Sequence, residues 1–225
     1  MKWQSLRLEA QTAGSEYGED TLRVAELLEK MSVNSGGTDR PAVVWFYSPE
    51  DVQVNEGCDQ KIFANEQVGL ALQMVNCYRV DVDSIRNETI REEYARDLPA
   101  FHFFDPAGEE LARLSGKRAN SLSGFSSLLT KLWSKSFTVA LKSYTKEMAR
   151  ILNRLDKITA EKQILDADLA RLAERPNPRK QAKLDRELEE IEKESADLLA
   201  DETELKESIA LRSEYAGEEA VRNSR

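Results

Sequence analysis

Residues 41–48 read Pro-Ala-Val-Val-Trp-Phe-Tyr-Ser, and this stretch decides the fold. Its unbroken run of apolar, β-branched and aromatic residues is typical of a strand buried on both faces of a sheet. The next residues, Ser48-Pro49-Glu50-Asp51, combine a capping side chain, a proline and two acids, a pattern typical of a helix start. We therefore predict a buried strand followed directly by a helix that ends near Val75.

Strand and helix patterns continue to alternate on the C-terminal side of this unit. The predicted elements are a strand at 77–83, a short helix at 87–95, strands at 98–104 and 110–114 joined by a turn, and a helix from Ser121. A lead-in over residues 1–39, loose at 1–18 and with a short amphipathic helix at 20–31, precedes them. The order β-α-β-α-β-β-α predicts an α/β domain with a mixed sheet over residues 40–136.

Three segments of this domain resemble the thioredoxin-like superfamily. Val43–Ser48 resembles the strand before that family's active-site loop, Leu98-Pro99 its cis-proline element, and Phe104–Glu109 its hairpin turn. The segment Cys58–Val68, with the spacing Phe-x-x-Glu-x-Val, is similar to a subgroup that includes the UAS domains of ubiquitin-adaptor proteins. The resemblance covers about residues 40–135 and implies a structural cis-proline at Pro99.

Redox-active members of this superfamily use a Cys-x-x-Cys pair at the start of the first long helix. Neither possible placement in this chain, 51–54 or 52–55, contains a cysteine. We therefore predict that the chain has no dithiol oxidoreductase activity, and we do not expect an enzyme. The alternative is a single-cysteine thiol-dependent oxidoreductase or transferase that uses Cys58.

The helix start decides between two interpretations of Cys58. A helix that begins at Asn55 would place Cys58 in its first turn, where a thiolate is stabilised. A helix that begins at Ser48 would make it an ordinary small residue about three turns in. The neighbouring acids favour the second interpretation, because nearby carboxylates raise the pKa of a thiol.

The remaining candidates for chemistry are interpreted as structural residues. Cys77 is expected to be a buried small side chain, and His102 a packed histidine of an apolar strand. Two cysteines and one histidine exclude a Cys-only zinc site and a His-rich metal centre, so no metal or cofactor is expected.

Charge and hydropathy limit the partners and the location of the chain. The net charge of −9 argues against binding to nucleic acid or to anionic membranes. No apolar run approaches the length of a membrane span, so no membrane insertion is expected. The first residues lack the apolar core of a signal peptide, which predicts a cytoplasmic location.

The chain from residue 137 onward has a different pattern. Apolar residues recur there in alternating steps of four and three from Phe137 to Leu172, with Lys162 as the single exception. A second series with the same steps runs from Leu184 to Ile209, with polar residues at Ser195 and Glu202. We predict an antiparallel coiled-coil hairpin over 137–213, with its turn at 174–180 and a flexible tail at 214–225. The domain's last helix, from Ser121, contains no helix breaker and is expected to run straight into this hairpin.

Folding the chain near residue 178 predicts which residues meet across the hairpin. Leu165 is expected opposite Ile191, and Ile158 opposite Leu198. Basic side chains cluster at the tip, and the descending helix from 187 to 207 carries ten acids against two lysines. The tip candidates for partner binding are Arg171, Arg175, Arg179, Lys180 and Lys183.

Together these patterns predict a redox-inactive thioredoxin-like module that docks on other proteins through its coiled-coil hairpin. A second alternative to this function is a self-assembling structural protein whose hairpins pair, so a homo-oligomer is also among the expected partners. The charge segregation has a simpler interpretation, a solvated helix face with pairs between residues four apart.

Overall fold

The computed structural model describes residues 3–6, 40–85, 88, 91–92, 96–174 and 176–215. The chain divides into two compact units, one of residues 1–141 with 210–225 and one of residues 142–209. The predicted helix at 20–31 and most of the lead-in lie outside the described residues. No helix among the described residues is long and apolar enough to cross a membrane.

A five-stranded mixed sheet forms the centre of the first unit. Its strands are β1 (Gln4–Leu6), β2 (Ala42–Tyr47), β3 (Asn76–Asp81), β4 (Ala100–Phe104) and β5 (Glu110–Ser115). Their spatial order is β1-β3-β2-β4-β5; β1 and β2 are parallel to β3, and β4 is antiparallel to β2 and β5. The central strand β2 is buried along its length up to Phe46, as its apolar run predicts.

Strand β1 corrects the prediction of a loose lead-in at residues 4–6; residues 7–18 lie outside the described residues. Residues 4–6 pair with residues 78–80 of β3 at the edge of the sheet. A three-residue edge strand is held by main-chain hydrogen bonds, and its sequence carries no apolar alternation that would reveal it.

The helical segment after β2 differs from the single predicted helix. It consists of α1 (Val52–Cys58), a π-helical turn (Asp59–Phe63) and α2 (Glu66–Leu72). Ser48–Asp51 form a turn in which Asp51 N donates to Ser48 O at 3.2 Å, so Pro49 precedes the helix and does not start it. The break before α2 comes from Asn65, whose side chain accepts a hydrogen bond from Val68 N and caps the new helix.

Apolar residues cover both faces of the sheet. On one face Val44 and Phe46 of β2 cluster with Val80 of β3 and Phe104 of β4. On the other face the ring of Trp45 contacts that of Phe63, and the ring of Phe101 contacts that of Phe125. Phe125 belongs to α3 (Leu122–Ser136). Of the predicted helix at 87–95, only residues 88, 91 and 92 are described, and they are helical.

The prediction that the domain's last helix runs straight into the hairpin is wrong. Helix α3 ends at Ser136, and Phe137 is extended with φ −115° and ψ 154°. The Trp133 indole donates from Nε1 to Val139 O at 2.8 Å, and its ring lies 4.5 Å from that of Phe137. These side-chain contacts hold residues 137–140 out of helical geometry, although no proline or glycine marks the break.

Residues 210–215, predicted as the end of the hairpin and the start of the tail, belong to the first unit. Thr138 N donates to Ala210 O at 3.1 Å, and Arg212 N donates to Ser136 O at 2.9 Å. Tyr215 donates from its hydroxyl to Asp105 Oδ2 at 3.0 Å. The hairpin therefore ends earlier than predicted, and the predicted tail begins with two residues held in a turn; its remainder, 216–225, lies outside the described residues.

The second unit is a helical hairpin made by α4 (Leu141–Glu174) and α5 (Pro178–Glu207). The turn lies within the predicted range, and Asn177 caps α5 by accepting a hydrogen bond from Lys180 N. Ile151, Ile158 and Leu198 form a buried cluster against which Leu155, Ile191 and Leu205 pack. Ile158 and Leu198 thus lie together, as the register predicts.

Candidate functional site

The loop between β2 and α1 is the place where a thioredoxin-like domain would carry its dithiol. Here residues 51–54 read Asp-Val-Gln-Val, and Asp51 stands directly before the first helical residue. The side chain of Asn55 donates to Ser48 O at 2.9 Å, and the hydroxyl of Ser48 donates to Asp83 Oδ2 at 3.2 Å. Polar contacts therefore fix this loop, and no thiol lies within it.

Pro99 lies at the start of β4, and the peptide bond between Leu98 and Pro99 is cis. The amide of Gly116 donates to the carbonyls of both Asp97 (2.9 Å) and Pro99 (3.0 Å), which ties the residues around the proline to the end of β5. Gly116 has φ +59°, a left-handed conformation that a glycine adopts without steric cost.

Cys58 is the last residue of α1. This helix begins at Val52, and not at Ser48 or Asn55, the two starts considered from the sequence. Its side chain is fully buried. Burial, with a smaller contribution from the charge of Asp59, raises the pKa of its thiol to about 11. A thiol with this pKa is protonated at neutral pH and is a poor nucleophile.

Cys77 is equally inaccessible. It lies in β3, and its thiol donates to the carbonyls of Val75 (3.4 Å) and Leu72 (3.6 Å). Burial raises the pKa of this thiol to about 12. Both cysteines are free, so the described chain contains no disulfide.

His102 belongs to a partly buried polar cluster that the sequence did not reveal. Its Nδ1 is 3.3 Å from Glu110 Oε2, and Glu110 also accepts two hydrogen bonds from Arg113, at 2.7 and 3.0 Å. Burial alone would raise the pKa of Glu110, but the hydrogen bonds from His102 and Arg113 together lower it. The three residues come from the paired strands β4 and β5, so the arrangement is a polar cluster across a hairpin and not a catalytic triad.

The described residues contain no group of three or more His, Cys, Asp or Glu side chains placed to hold a metal ion. The expectation that Cys77 and His102 are structural residues agrees with their burial.

The tip of the hairpin carries the basic candidates. Arg179, Lys180 and Lys183 lie in the first turns of α5, and all are exposed. Arg171, in the last turn of α4, is 3.3 Å from Asp168 and is also exposed. Arg175 lies outside the described residues.

A groove that the sequence did not reveal lies on one side of the hairpin. It has a volume of about 420 Å³, with Ile164, Leu165 and Ile191 as its apolar residues. Leu165 and Ile191, predicted to face each other, line it together. Its charged lining residues are Arg154, Glu161, Glu187, Glu190 and Glu194.

No protein family model and no curated protein matches the chain. Among solved structures, a thioredoxin from Fasciola hepatica matches with 23% identity and a TM-score of 0.36, covering 47% of this chain and 91% of that one.

A thioredoxin from Thermus thermophilus matches with 22% identity and a TM-score of 0.36, covering 46% of this chain and 79% of its own. The germline-specific thioredoxin Deadhead from Drosophila melanogaster matches with 15% identity and a TM-score of 0.35, covering 48% and 94% of the two chains. These likenesses concern the fold alone. The strand order, with β4 antiparallel in an otherwise parallel centre, gives the first unit a thioredoxin-like fold, and a long helical hairpin follows it.

Proposed function

We propose that this chain is a redox-inactive thioredoxin-like module that binds other proteins through its coiled-coil hairpin. The observation that carries the first half is the sequence Asp-Val-Gln-Val at residues 51–54, where a redox-active relative would hold two cysteines. The resemblance to the subgroup that includes the redox-inactive UAS domains is consistent with it.

The state of the two thiols supports the same conclusion. Dithiol exchange needs an accessible thiolate and a second thiol within reach of the mixed disulfide. Cys58 and Cys77 are both buried, and burial raises both pKa values. These properties count against the single-cysteine alternative as well, because Cys58 cannot meet a substrate without local opening.

The hairpin supports the binding half of the proposal. Its helices α4 and α5 are 34 and 30 residues long, and most of their side chains are exposed. Cations at the tip stabilise a helical hairpin little, since exposed ion pairs contribute about 0–1 kcal/mol each. Their stronger effect is on the approach of an acidic partner surface.

The redox half is tested by the reduction of insulin disulfides with dithiothreitol as electron donor. We expect no turnover above the uncatalysed rate, with an authentic thioredoxin as the positive control. Turnover by the wild-type chain that disappears in Cys58→Ser would establish the enzyme alternative.

The binding half is tested by affinity capture with the full chain as bait. Arg171→Glu/Arg179→Glu should weaken capture of the main partner about tenfold, or about 1.4 kcal/mol. Lys142→Glu/Lys146→Glu makes the same charge change at exposed positions at the start of α4 and should have no effect. Equal capture by the wild type and both variants would contradict docking through the tip.

A further inference from the structure

The groove on the hairpin combines an exposed apolar residue with an acidic rim. Ile164 lies in it and is 65% exposed, the largest exposed fraction among the large apolar side chains of the described chain. The half-buried Leu165 and Ile191 extend the apolar surface beside it, and charged side chains rim this surface. The groove therefore has the composition of a surface that another element covers.

The free charge of the rim is negative. Arg154 donates to both carboxylate oxygens of Glu194 at 2.7 Å and to Glu161 at 3.2 Å, so its guanidinium is already engaged. Glu187 and Glu190 add two further carboxylates on α5. The complementary occupant is one that presents cations with the spacing of these glutamates.

Helix α5 itself carries such a group. Lys180 and Lys183 precede Glu187 and Glu190 by seven residues each, which is two helical turns, so all four lie on one stripe of the helix. The stripe is basic at the tip end and acidic at the groove.

We propose that a second copy of this chain docks antiparallel on this stripe, with its tip over the groove. Lys183 and Glu187 are each two residues from Asp185, and Lys180 and Glu190 are each five residues from it. A single two-fold axis at the level of Asp185 therefore brings both lysines of one copy to both glutamates of the other. Asp185 is about 200° around the helix from Lys183 and from Glu187, so it lies on the side of α5 opposite the stripe.

The same axis brings the second copy to the groove. Glu187 and Glu190 line the groove, so the lysines of the second copy reach its acidic rim. An identical chain supplies the complement of this stripe in reverse order, so the charge pattern favours a second copy over an unrelated partner.

The pairing exchanges two intramolecular ion pairs for four intermolecular ones. Within a single chain Lys183 lies 3.2 Å from Glu187, in a surface pair between residues four apart. Such a pair is weak, because both side chains are solvated, and it is exchanged easily. The dimer replaces the two such pairs of its two chains with four intermolecular lysine–glutamate pairs, a contact that the binding of a different protein through the hairpin does not require.

Sedimentation velocity of the full chain tests this proposal. We expect the wild type to dimerise in low salt and to dissociate as salt rises, because screening weakens the pairs. Lys180→Glu/Lys183→Glu makes the stripe wholly acidic, and Glu187→Lys/Glu190→Lys makes it wholly basic. Each variant alone should dimerise at least about tenfold more weakly, whereas an equimolar mixture of the two should form heterodimers.

Two further variants keep the result interpretable. Lys142→Glu/Lys146→Glu, far from the groove along α4, should dimerise like the wild type. The chain with all four stripe substitutions reverses the polarity of the stripe and should regain dimerisation, which excludes misfolding as the cause of any loss. A wild-type chain that stays monomeric in low salt, or a mixture that does not associate, would overturn the proposal without affecting the proposed binding of another protein through Arg171 and Arg179.

Discussion

At the scale of single residues, burial determines the chemistry of both thiols. Cys58 and Cys77 have pKa values raised to about 11 and about 12, mainly by burial. We predict that neither reacts with a thiol-specific disulfide reagent in the native chain at pH 8, and that both react in denaturant. Ser143→Cys places a thiol at an exposed position of α4 and provides the positive control. Rapid labelling of Cys58 in the native chain would contradict this prediction.

Glu110 provides a pH-dependent contribution to stability. Burial acts to raise its pKa, but hydrogen bonds from His102 and Arg113 outweigh burial and lower it. A carboxyl group with a lowered folded-state pKa stabilises the fold above its unfolded pKa and loses this contribution as pH falls through the folded value. Glu110→Gln should therefore lower the free energy of unfolding by about 1 kcal/mol at pH 7.

The difference between the wild type and Glu110→Gln should shrink as the pH falls below about 4.5, the unfolded pKa region of a glutamate. Urea denaturation at a series of pH values measures it. Glu109→Gln, at the exposed neighbouring position, should change stability little. A pH-independent difference would mean that the amide introduced by Glu110→Gln is destabilising for reasons other than charge.

At the scale of elements, two glycines are expected to respond in opposite ways to the same substitution. Gly116 has φ +59° between β5 and the next helical turn, and a Cβ there is strained whatever the space. Gly116→Ala should cost about 1–2 kcal/mol. Gly69 lies inside α2 with room for a Cβ, since the nearest atom is Phe63 O at 4.0 Å.

Gly69→Ala should consequently stabilise the fold by about 0.5–1 kcal/mol through helix propensity. Thermal denaturation of the two variants beside the wild type checks both signs in one experiment. A stabilising Gly116→Ala would contradict the left-handed geometry at that turn.

The hairpin register makes a further prediction at this scale. Leu165 and Ile191 line the same groove from opposite helices. The double variant Leu165→Cys/Ile191→Cys should form a crosslink within one chain on mild oxidation in dilute, high-salt solution. The pair Leu165→Cys/Leu184→Cys is offset by two helical turns, about 10 Å, and should not. Non-reducing gels and peptide mass analysis distinguish crosslinks within a chain from those between chains, and exclusive crosslinks between chains would contradict the hairpin.

The elements also show what the sequence could predict. Strands β2 to β5 and the two hairpin helices carry long periodic or apolar patterns, and these patterns predicted them near their observed positions. The break at Asn65, the end of α3 at Ser136 and the edge strand β1 were missed. The first two depend on single side-chain contacts, Asn65 with Val68 N and Trp133 with Val139 O, that the apolar pattern does not encode, and β1 depends on main-chain pairing with β3. The groove was missed because its lining residues were interpreted separately. The heptad positions were assigned to the packing seam between the helices and the charged residues to a solvated face, so they were not considered as one surface.

At the scale of the whole molecule, the first unit contains chain segments from both sides of the hairpin. Residues 210–215 follow the hairpin in sequence, yet they hydrogen-bond to Ser134, Ser136 and Thr138 at the end of α3. The segment ends on Tyr215, whose hydroxyl donates to Asp105. Asp105 is buried and also accepts hydrogen bonds from the amides of Ala107 and Glu109, so it organises the turn between β4 and β5.

This arrangement predicts that a residue beyond the hairpin contributes to the stability of the thioredoxin-like unit. Tyr215→Phe removes one hydrogen bond to a buried carboxylate and should lower the free energy of unfolding by about 1–2 kcal/mol. Burial and the neighbouring Asp105 carboxylate raise the pKa of the Tyr215 phenol to about 12. The folded-state pKa lies above the unfolded value of about 10. The hydrogen bond's contribution to stability is therefore fully present below about pH 10 and disappears as pH rises toward about 12.

Urea denaturation followed by the tryptophan fluorescence of the first unit, which contains Trp3, Trp45 and Trp133, measures this contribution directly. Ser213→Ala, at an exposed position two residues away, should leave the midpoint unchanged. If Tyr215→Phe also left it unchanged, the segment after the hairpin would not be part of the cooperative fold. A loss that persists at pH 9 and vanishes near pH 12 would instead identify the Tyr215–Asp105 hydrogen bond as a contact that fastens the end of the described chain to the thioredoxin-like unit.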